Sequence, residues 1–136
     1  MKKSKDPIKS SAKRIFRRYK DGDLTFEVFL NLSQKNCYYC NSKPSNLYNC
    51  AKDSKNSSQF QKDNGNFIYN GLDRIDNNLP HNINNVITCC KYCNYAKRER
   101  STKEFKEWVI NLSFHFLKFT NEENFKNFLS KNKFHE

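Results

Sequence analysis

Cysteines are the residues of this chain whose spacing points most directly to chemistry. Four of the six cysteines form two C-x2-C pairs, Cys37 with Cys40 and Cys90 with Cys93. A spacer of two residues lets a tight turn direct both thiolates at one tetrahedral Zn2+. The two pairs therefore predict one structural zinc site with four ligands. Redox dithiols or buried free thiols are the alternative interpretation of the same residues.

The other two cysteines lack a partner at this spacing. Cys50 lies in a polar segment and Cys89 in an apolar run, and both are predicted to be free thiols. The chain starts without an apolar leader, and no apolar run approaches the roughly 18 residues of a spanning helix. These features predict a soluble, intracellular protein that is not secreted and binds no membrane, in which disulfides are not expected.

The charge of the chain favours a polyanionic partner. Lys and Arg number 25 against 14 Asp and Glu, a formal net charge of +11. Nucleic acid is the first candidate for such a partner, and an anionic membrane surface is the alternative. In "IKSSAKRIFRRYK" the apolar residues share one face of a predicted helix and basic residues occupy the rest. Arg14, Arg17 and Arg18 are therefore predicted to contact nucleic acid.

Periodicity predicts an α+β chain organised as a single domain over residues 1–136. Residues 1–36 form its basic helical part, residues 37–100 the core that contains the cysteine pairs, and residues 101–136 a helical cap. Within the core, "FIYNGLDRID" and "NVITC" predict two strands of a hairpin. A helix over residues 91–100 follows the second strand. The polar residues 46–66 predict a loop.

The C-terminal part has its own helix signals. Ser101 and Glu104 form a capping-box start, and Thr120 with Glu123 predicts a last short helix. The first of these helices places apolar residues on one face, which is predicted to be core. That face comprises Phe105, Trp108, Val109, Leu112 and Phe116.

Two strands followed by a helix, framed by cysteine pairs, are also the layout of a known nuclease module. The motifs "GLDRID" and "NNVITCCKYCNYAK" resemble the HNH endonucleases of the ββα-metal (His-Me finger) superfamily, in the subset with a C-x2-C pair on both sides. The resemblance spans roughly residues 37–97. It implies a small ββα-metal core with a four-cysteine zinc site, flanked by N-terminal and C-terminal helices.

The resemblance also implies roles for individual residues. Asp73 stands at the position of a metal ligand, Asn94 at that of the second ligand, and Asn85 at that of the central Asn. Carboxylate and amide oxygens suit a catalytic Mg2+ or Mn2+. Lys97 matches the Lys that ends the helix motif. Together they imply metal-assisted hydrolysis of a phosphodiester bond.

One position departs from the pattern, because Arg74 stands where the general-base His is expected. A guanidinium stays protonated at ordinary pH and cannot accept the proton. Arg74 is therefore predicted to grip the phosphate. His81, in the loop between the strands, or a metal-bound water is the candidate base.

Helical spacing groups the residues that follow. Asn94, Lys97 and Arg98 stand at i, i+3 and i+4, so one face is predicted to present a metal ligand with two phosphate-binding cations. A solvated face is the alternative for the two cations. Simple alternatives for the other residues are a surface network of Asp73, Asp76 and Arg74, a turn role for Asn85, and a loop His81.

The sequence thus predicts a zinc-containing HNH endonuclease that hydrolyses DNA, with RNA not excluded as a partner. A non-catalytic nucleic-acid-binding module derived from the same fold is the alternative, with Arg74 marking lost chemistry. A structural protein of a ribonucleoprotein shares the charge but gives no reason for Asp73 and Asn94.

Overall fold

The computed structural model of the protein describes residues 6–117 and 122–131. The chain contains both helices and short strands, which confirms the predicted mixture of helix and sheet. The elements are α1 Pro7–Phe16, α2 Phe26–Ser33, β1 Asn46–Tyr48, α3 Gln59–Asn64, β2 Phe67–Tyr69, β3 Gly71–Arg74, β4 Val86–Cys89, α4 Lys91–Lys97, α5 Thr102–Leu117 and α6 Glu122–Lys131. A 3-10 turn, Arg17–Tyr19, continues α1.

The chain divides into two compact units, Met1–Ser101 and Thr102–Glu136. The first unit contains α1 to α4 and both sheets, and the second contains α5 and α6. The single-domain organisation stays a prediction. No helix within residues 6–117 and 122–131 combines the length and apolar character needed to cross a membrane.

An apolar core joins the two N-terminal helices to the sheets. Asp6 caps α1 by accepting from the Lys9 amide (3.1 Å), and the Thr25 hydroxyl caps α2. The ring of Phe29 on α2 is fully buried and lies 5.5 Å from the ring centroid of Phe16. The buried members of this core are Ala12, Ile15, Leu24, Phe29, Phe67, Tyr69, Leu72 and Val86.

The structure divides "FIYNGLDRID", predicted as one strand, between two sheets. β2 pairs antiparallel with β1, and β3 pairs antiparallel with β4. Asn70, which is buried, separates them: its amide donates to Ser33 O (2.9 Å), and its Nδ2 donates to Lys35 O (3.0 Å) and Ser42 O (3.2 Å). These hydrogen bonds hold the chain between β2 and β3 against the end of α2 and the residues that follow it. The alternation of apolar and polar residues in the sequence does not predict them.

The segment predicted as a loop contains two short elements. β1 forms by pairing Asn46 with Tyr69, a long-range contact that composition cannot reveal. Helix α3 begins at a capping box, in which Ser58 Oγ accepts from the Gln61 amide and Gln61 Oε1 accepts from the Ser58 amide. The S-x-x-Q pattern was therefore a usable signal for α3.

Helix α5 begins at Thr102, in agreement with the capping signal at Ser101 and Glu104. Phe105 is buried as predicted, but the rest of the predicted core stripe is 39% to 63% exposed. Helical periodicity shows which face of a helix is apolar, but it does not show whether another element packs against that face. The exposed residues of the stripe are Trp108, Val109, Leu112 and Phe116. Thr120, the predicted start of the last helix, lies outside the described residues.

Candidate metal centre and adjoining acidic site

The four paired cysteines converge on one point. The sulfur atoms of Cys37, Cys40, Cys90 and Cys93 all lie within 4.8 Å of one another, and the sulfurs of Cys40 and Cys90 are 3.7 Å apart. Four sulfurs at about 2.3 Å from a tetrahedral zinc are separated by about 3.8 Å. The cluster could therefore hold a metal ion such as zinc.

Each pair is shaped by its own backbone hydrogen bonds. In the first pair, the Asn41 amide donates to Cys37 O (2.8 Å), and Asn41 closes the turn with a left-handed φ of 60°, which Asn tolerates better than most residues. The Tyr38 amide donates to Thr88 O (2.8 Å) and so joins this turn to β4. In the second pair, Cys90 caps α4, where its sulfur accepts from the Cys93 amide (3.4 Å).

The surroundings favour the ionised form of one thiol. Desolvation raises the pKa of Cys40, but hydrogen bonds from the side chain and backbone of Ser42, then from Cys93 and Cys37, lower it to about 7. Burial, with hydrogen bonds to Cys40 and Cys90, raises the pKa of Cys93. Four adjacent thiols resist joint ionisation, and a divalent cation bound between them would remove that penalty.

Cys50 and Cys89 stand outside the cluster, as the spacing predicts. Cys50 Sγ lies 3.5 Å from Ser11 Oγ on α1. Cys89 is buried on β4 beside Cys37 and Cys90, and burial, then the charge of Cys37, raises the pKa of its thiol. Its contribution is to packing.

Next to the cluster lies a buried ion pair. Asp73 on β3 is 5% exposed, and Lys97 at the end of α4 is 0% exposed. Lys97 Nζ lies 3.2 Å from Asp73 Oδ1 and 3.1 Å from Oδ2, and it also donates to Arg74 O (2.9 Å). The Tyr39 hydroxyl, from the first cysteine pair, donates to Asp73 Oδ2 (3.1 Å). The Asp73 carboxylate thus accepts hydrogen bonds from α4, through Lys97, and from the turn of the first cysteine pair, through Tyr39.

The prediction that Lys97 presents its charge to phosphates is wrong for this arrangement. Helical spacing correctly places Asn94, Lys97 and Arg98 near one another along α4, but Lys97 points into the protein whereas Asn94 and Arg98 are exposed. A buried ammonium needs a paired anion, and Asp73 provides it. The compensating contact is long-range, so helix periodicity could not identify it.

Asn85 occupies its predicted place before β4 and braces the loop between β3 and β4. Its Nδ2 donates to the carbonyls of Asp76 (3.0 Å), Leu79 (3.3 Å) and Pro80 (3.0 Å), and its Oδ1 accepts from the Asp76 amide (3.0 Å). Arg74 Nη1 lies 3.5 Å from Leu79 O in the same loop. The side-chain amide of Asn85 therefore holds the loop whose Leu79 carbonyl also contacts Arg74.

His81 contacts the loop that contains Asp21, and its role as base stays a prediction. Its Nδ1 lies 2.7 Å from Asp21 Oδ1, and its ring meets Tyr19 edge-on at 5.1 Å. Desolvation raises the pKa of Asp21, but the hydrogen bond and charge of His81 lower it below its usual value. Gly22 allows this approach, since a Cβ there would lie 2.2 Å from His81 O. The hydrogen bond of His81 thus serves the junction between two loops.

The exposed arginines that were predicted to contact nucleic acid lie on two elements. Arg14, Arg17 and Arg18 are exposed along α1 and the 3-10 turn, opposite the buried Ala12 and Ile15. Arg98 ends α4 with φ 53° and ψ −124°, a conformation that normally requires glycine. The sequence does not predict the positive φ of Arg98. It also does not predict the hydrogen bond from Tyr39 to Asp73. The only sequence signal for Tyr39 is its position inside the first C-x2-C pair.

The comparisons with known proteins leave the family open. No family model matches the chain, and no solved structure matches it significantly. The chain is 28% identical over 93 residues to Uncharacterized protein R423 of Acanthamoeba polyphaga mimivirus. That match covers 68% of this chain and 14% of the viral protein, so the chain spans a small part of its relative. Similarity to the HNH endonucleases stays a prediction.

Proposed function

We propose that the chain is an HNH-type endonuclease that hydrolyses DNA phosphodiester bonds and contains one structural zinc. The single observation that carries the proposal is the meeting of Asp73 on β3 with Lys97 on α4, joined to the first cysteine pair by the hydrogen bond from Tyr39. The resemblance requires an acid on the first strand and a helix ending in Lys to share one site. Their contact is long-range, so motif order alone does not produce it.

The zinc has a structural role in this proposal. All four ligands are cysteines, which leaves no open position for a substrate or water. The metal joins the turn at Cys37 and Cys40 to the start of α4 at Cys90 and Cys93. It therefore holds α4 against β3, and with it the contact of Lys97 with Asp73.

A divalent ion would be held by Asp73 and Asn94. Tyr39 and Lys97 together make three contacts with the Asp73 carboxylate, and a carboxylate offers about four lone-pair directions. Asn94 is exposed one turn before Lys97. Mg2+ or Mn2+ bound there would stabilise charge on the phosphate oxygens. The chain's own contribution is to hold Asp73 in place and to compensate its charge through Lys97.

Positive side chains on the surface support a DNA partner. Arg14, Arg17 and Arg18 are exposed, as is Arg98 at the end of α4, and Arg74, half-buried at the end of β3, contacts Leu79 in the loop that Asn85 braces. Each Arg that neutralises a phosphate releases counterions, so binding should weaken steeply as salt rises.

A non-catalytic DNA-binding module is the second candidate, and one observation favours it. His81 is bonded to Asp21, and Arg74 stands where a base is expected. A guanidinium cannot accept a proton, and the contact of His81 Nδ1 with Asp21 joins that ring to a different loop. In this case the ion pair of Asp73 and Lys97 is a structural element, and the protein binds DNA without cutting it.

Supercoiled plasmid incubated with Mg2+ or Mn2+ separates the two candidates. An endonuclease converts it to nicked or linear DNA, and Asp73→Asn should reduce this conversion to the level without protein. Asn replaces the carboxylate without adding volume but leaves the Lys97 ammonium without its anion, so zinc content and the thermal unfolding transition are measured alongside to verify the fold. Asp63→Asn, at an exposed acid on α3, is the matched control and should cut normally. Equal cutting by Asp73→Asn would contradict the assignment of the site.

The variant Arg74→His tests the missing base. If proton transfer limits a degenerate site, an imidazole at this position should raise nicking by roughly 10²- to 10⁴-fold near neutral pH. If Arg74 clamps the phosphate in a working site, the same change should lower the rate. No cutting by either protein, with zinc bound and DNA affinity intact, would leave the binding module as the function.

A further inference from the structure

Helix α4 exposes two large aromatic side chains. Tyr92 is 70% exposed and Tyr95 is 71% exposed. The opposite side of the helix carries Cys93, a member of the metal cluster, and Lys97, which pairs with Asp73. At about 100° per residue, this attachment turns Tyr92 and Tyr95 outward, as neighbours at i and i+3.

Cations flank the pair of rings. Lys91 Nζ lies 5.1 Å from the ring centroid of Tyr92, a cation-π arrangement that still leaves most of the ring exposed. Arg98 is exposed at the other end of the same short helix. Single exposed aromatic residues are ordinary on protein surfaces. Two exposed rings at i and i+3, with a cation at each end of a helix that is attached through its opposite face, form a surface suited to a ligand with flat rings and negative charges.

We propose that Tyr92 and Tyr95 form a stacking platform for unpaired bases of single-stranded DNA, with Lys91 and Arg98 contacting the flanking phosphates. The proposal rests on the DNA-binding part of the proposed function. Every base has a π-face, so such a platform tolerates sequence differences. In a duplex the faces of the bases are covered by their neighbours, so the tyrosines reach only groove edges and the backbone. The platform therefore predicts a preference for unpaired over paired DNA.

The platform also has a mechanical reason to be effective. The metal cluster and the Asp73 pair fix α4 at its start and its end, so little ordering of the helix is required when DNA binds. The tyrosine side chains have few rotatable bonds. Stacking on an aromatic residue typically contributes roughly five- to 150-fold in affinity for each base.

The test is the affinity of the full chain for a fluorescent oligodeoxynucleotide of about 12 nucleotides, within the usual site sizes, compared with the matching duplex. It is measured by anisotropy without added divalent metal, so that cutting does not interfere. The variant with both Tyr92→Ala and Tyr95→Ala should lose at least about tenfold in single-strand affinity and keep its duplex affinity. Changing both residues to Phe should retain single-strand binding, since the rings remain.

Phe60→Ala is the control, because Phe60 on α3 is also 60% exposed but lies outside α4. It should bind like the wild type, and zinc content and melting temperature should be equal in all variants. An unchanged single-strand affinity in the double Ala variant, or an equal loss for duplex, would overturn the platform. Duplex binding by the wild type with no single-strand preference would overturn only the platform, whereas binding to neither DNA would overturn the proposed function as well.

Discussion

Two parts of the first unit are stabilised by different physics. The part around α1, α2 and β2 has an apolar centre built from rings and aliphatic side chains such as Ile15, Phe29 and Phe67. The part around β3, β4 and α4 has a polar centre, with Asp73, Asn85, Thr88 and Lys97 buried. The two parts meet at Leu72 and Val86, which lie on β3 and β4 and belong to the apolar core of the first part.

The difference shows where precision is needed. Burial of apolar area is non-directional, so an apolar centre tolerates changes that preserve volume. A buried charge is stable only with its partner in place. The polar part therefore depends on devices that fix geometry, namely the cysteine cluster, the three-carbonyl tie of Asn85 and the Thr88 hydroxyl, which donates to Leu32 O (2.7 Å).

Removing one metal ligand should break the polar part most completely. Cys93→Ser is expected to abolish zinc binding and the cooperative unfolding transition, because zinc contributes about 10 to 16 kcal/mol in small zinc-finger peptides, comparable to the whole stability of a domain. Metal analysis and thermal unfolding by circular dichroism provide the measurements. Cys50→Ser and Cys89→Ser should retain the metal, and equal loss of zinc from Cys50→Ser would disprove the ligand set.

The ion pair tests whether the polar part depends on pairing or on volume. Lys97→Met keeps most of the side-chain volume but leaves the Asp73 carboxylate buried without its cation, so we expect a loss of about 3 to 5 kcal/mol in the free energy of unfolding. Adding Asp73→Asn to Lys97→Met should recover part of that loss. Urea unfolding measures both, with Lys91→Met on the exposed face of α4 as the control. No recovery in the double variant would show that packing, and not charge, dominates.

Strain at the end of α4 should have the opposite sign. Arg98→Gly removes a side chain from a backbone conformation that suits glycine, so stability should rise by about 1 kcal/mol. DNA affinity should fall, because a phosphate contact is lost. Urea unfolding and anisotropy at two salt concentrations separate the two effects. Arg98→Ala retains the strain and should lose affinity without gaining stability, and a stability gain equal to that of Gly would disprove the strain.

The smallest effect is expected at the loop junction. His81→Ala removes a hydrogen bond with the half-exposed Asp21, and exposed pairs of this kind contribute at most about 1 kcal/mol even when both partners are charged. Zinc content, DNA affinity and any plasmid cutting should remain at wild-type levels. Asp21→Asn is the matched variant and should show a similarly small change. A large loss of cutting in His81→Ala would return this residue to the role of base.

Local signals in the sequence were sufficient to predict the four-cysteine cluster. The C-x2-C spacing brings two sulfurs together within one turn, and the only long-range information needed is that two such turns meet. The strand "NVITC", the helix after it and the place of Asn85 before the strand also follow from local pattern. The cap signals likewise located the start of α5.

Long-range polar contacts account for what the sequence did not reveal. Lys97 looks like any cation on a helix until Asp73 is placed opposite it, and Asn70 looks like a strand residue until the end of α2 accepts its hydrogen bonds. The role of Tyr39 depends in the same way on the Asp73 carboxylate, which is 34 positions away in the sequence. These residues act through partners that only the fold brings within reach.

The hydrogen bond from Tyr39 to Asp73 links two kinds of ligand in one thermodynamic cycle. Tyr39 lies between Cys37 and Cys40, so binding of metal at the sulfurs restricts the same turn that donates to the carboxylate. Any molecule that binds at Asp73 and prefers one position of this hydroxyl must change the affinity of the sulfurs for metal. By reciprocity, the metal changes the affinity of that molecule by the same factor. If the four cysteines hold zinc, the equilibrium affinity for zinc, measured by competition with a chelator, therefore reports what occupies the acidic site.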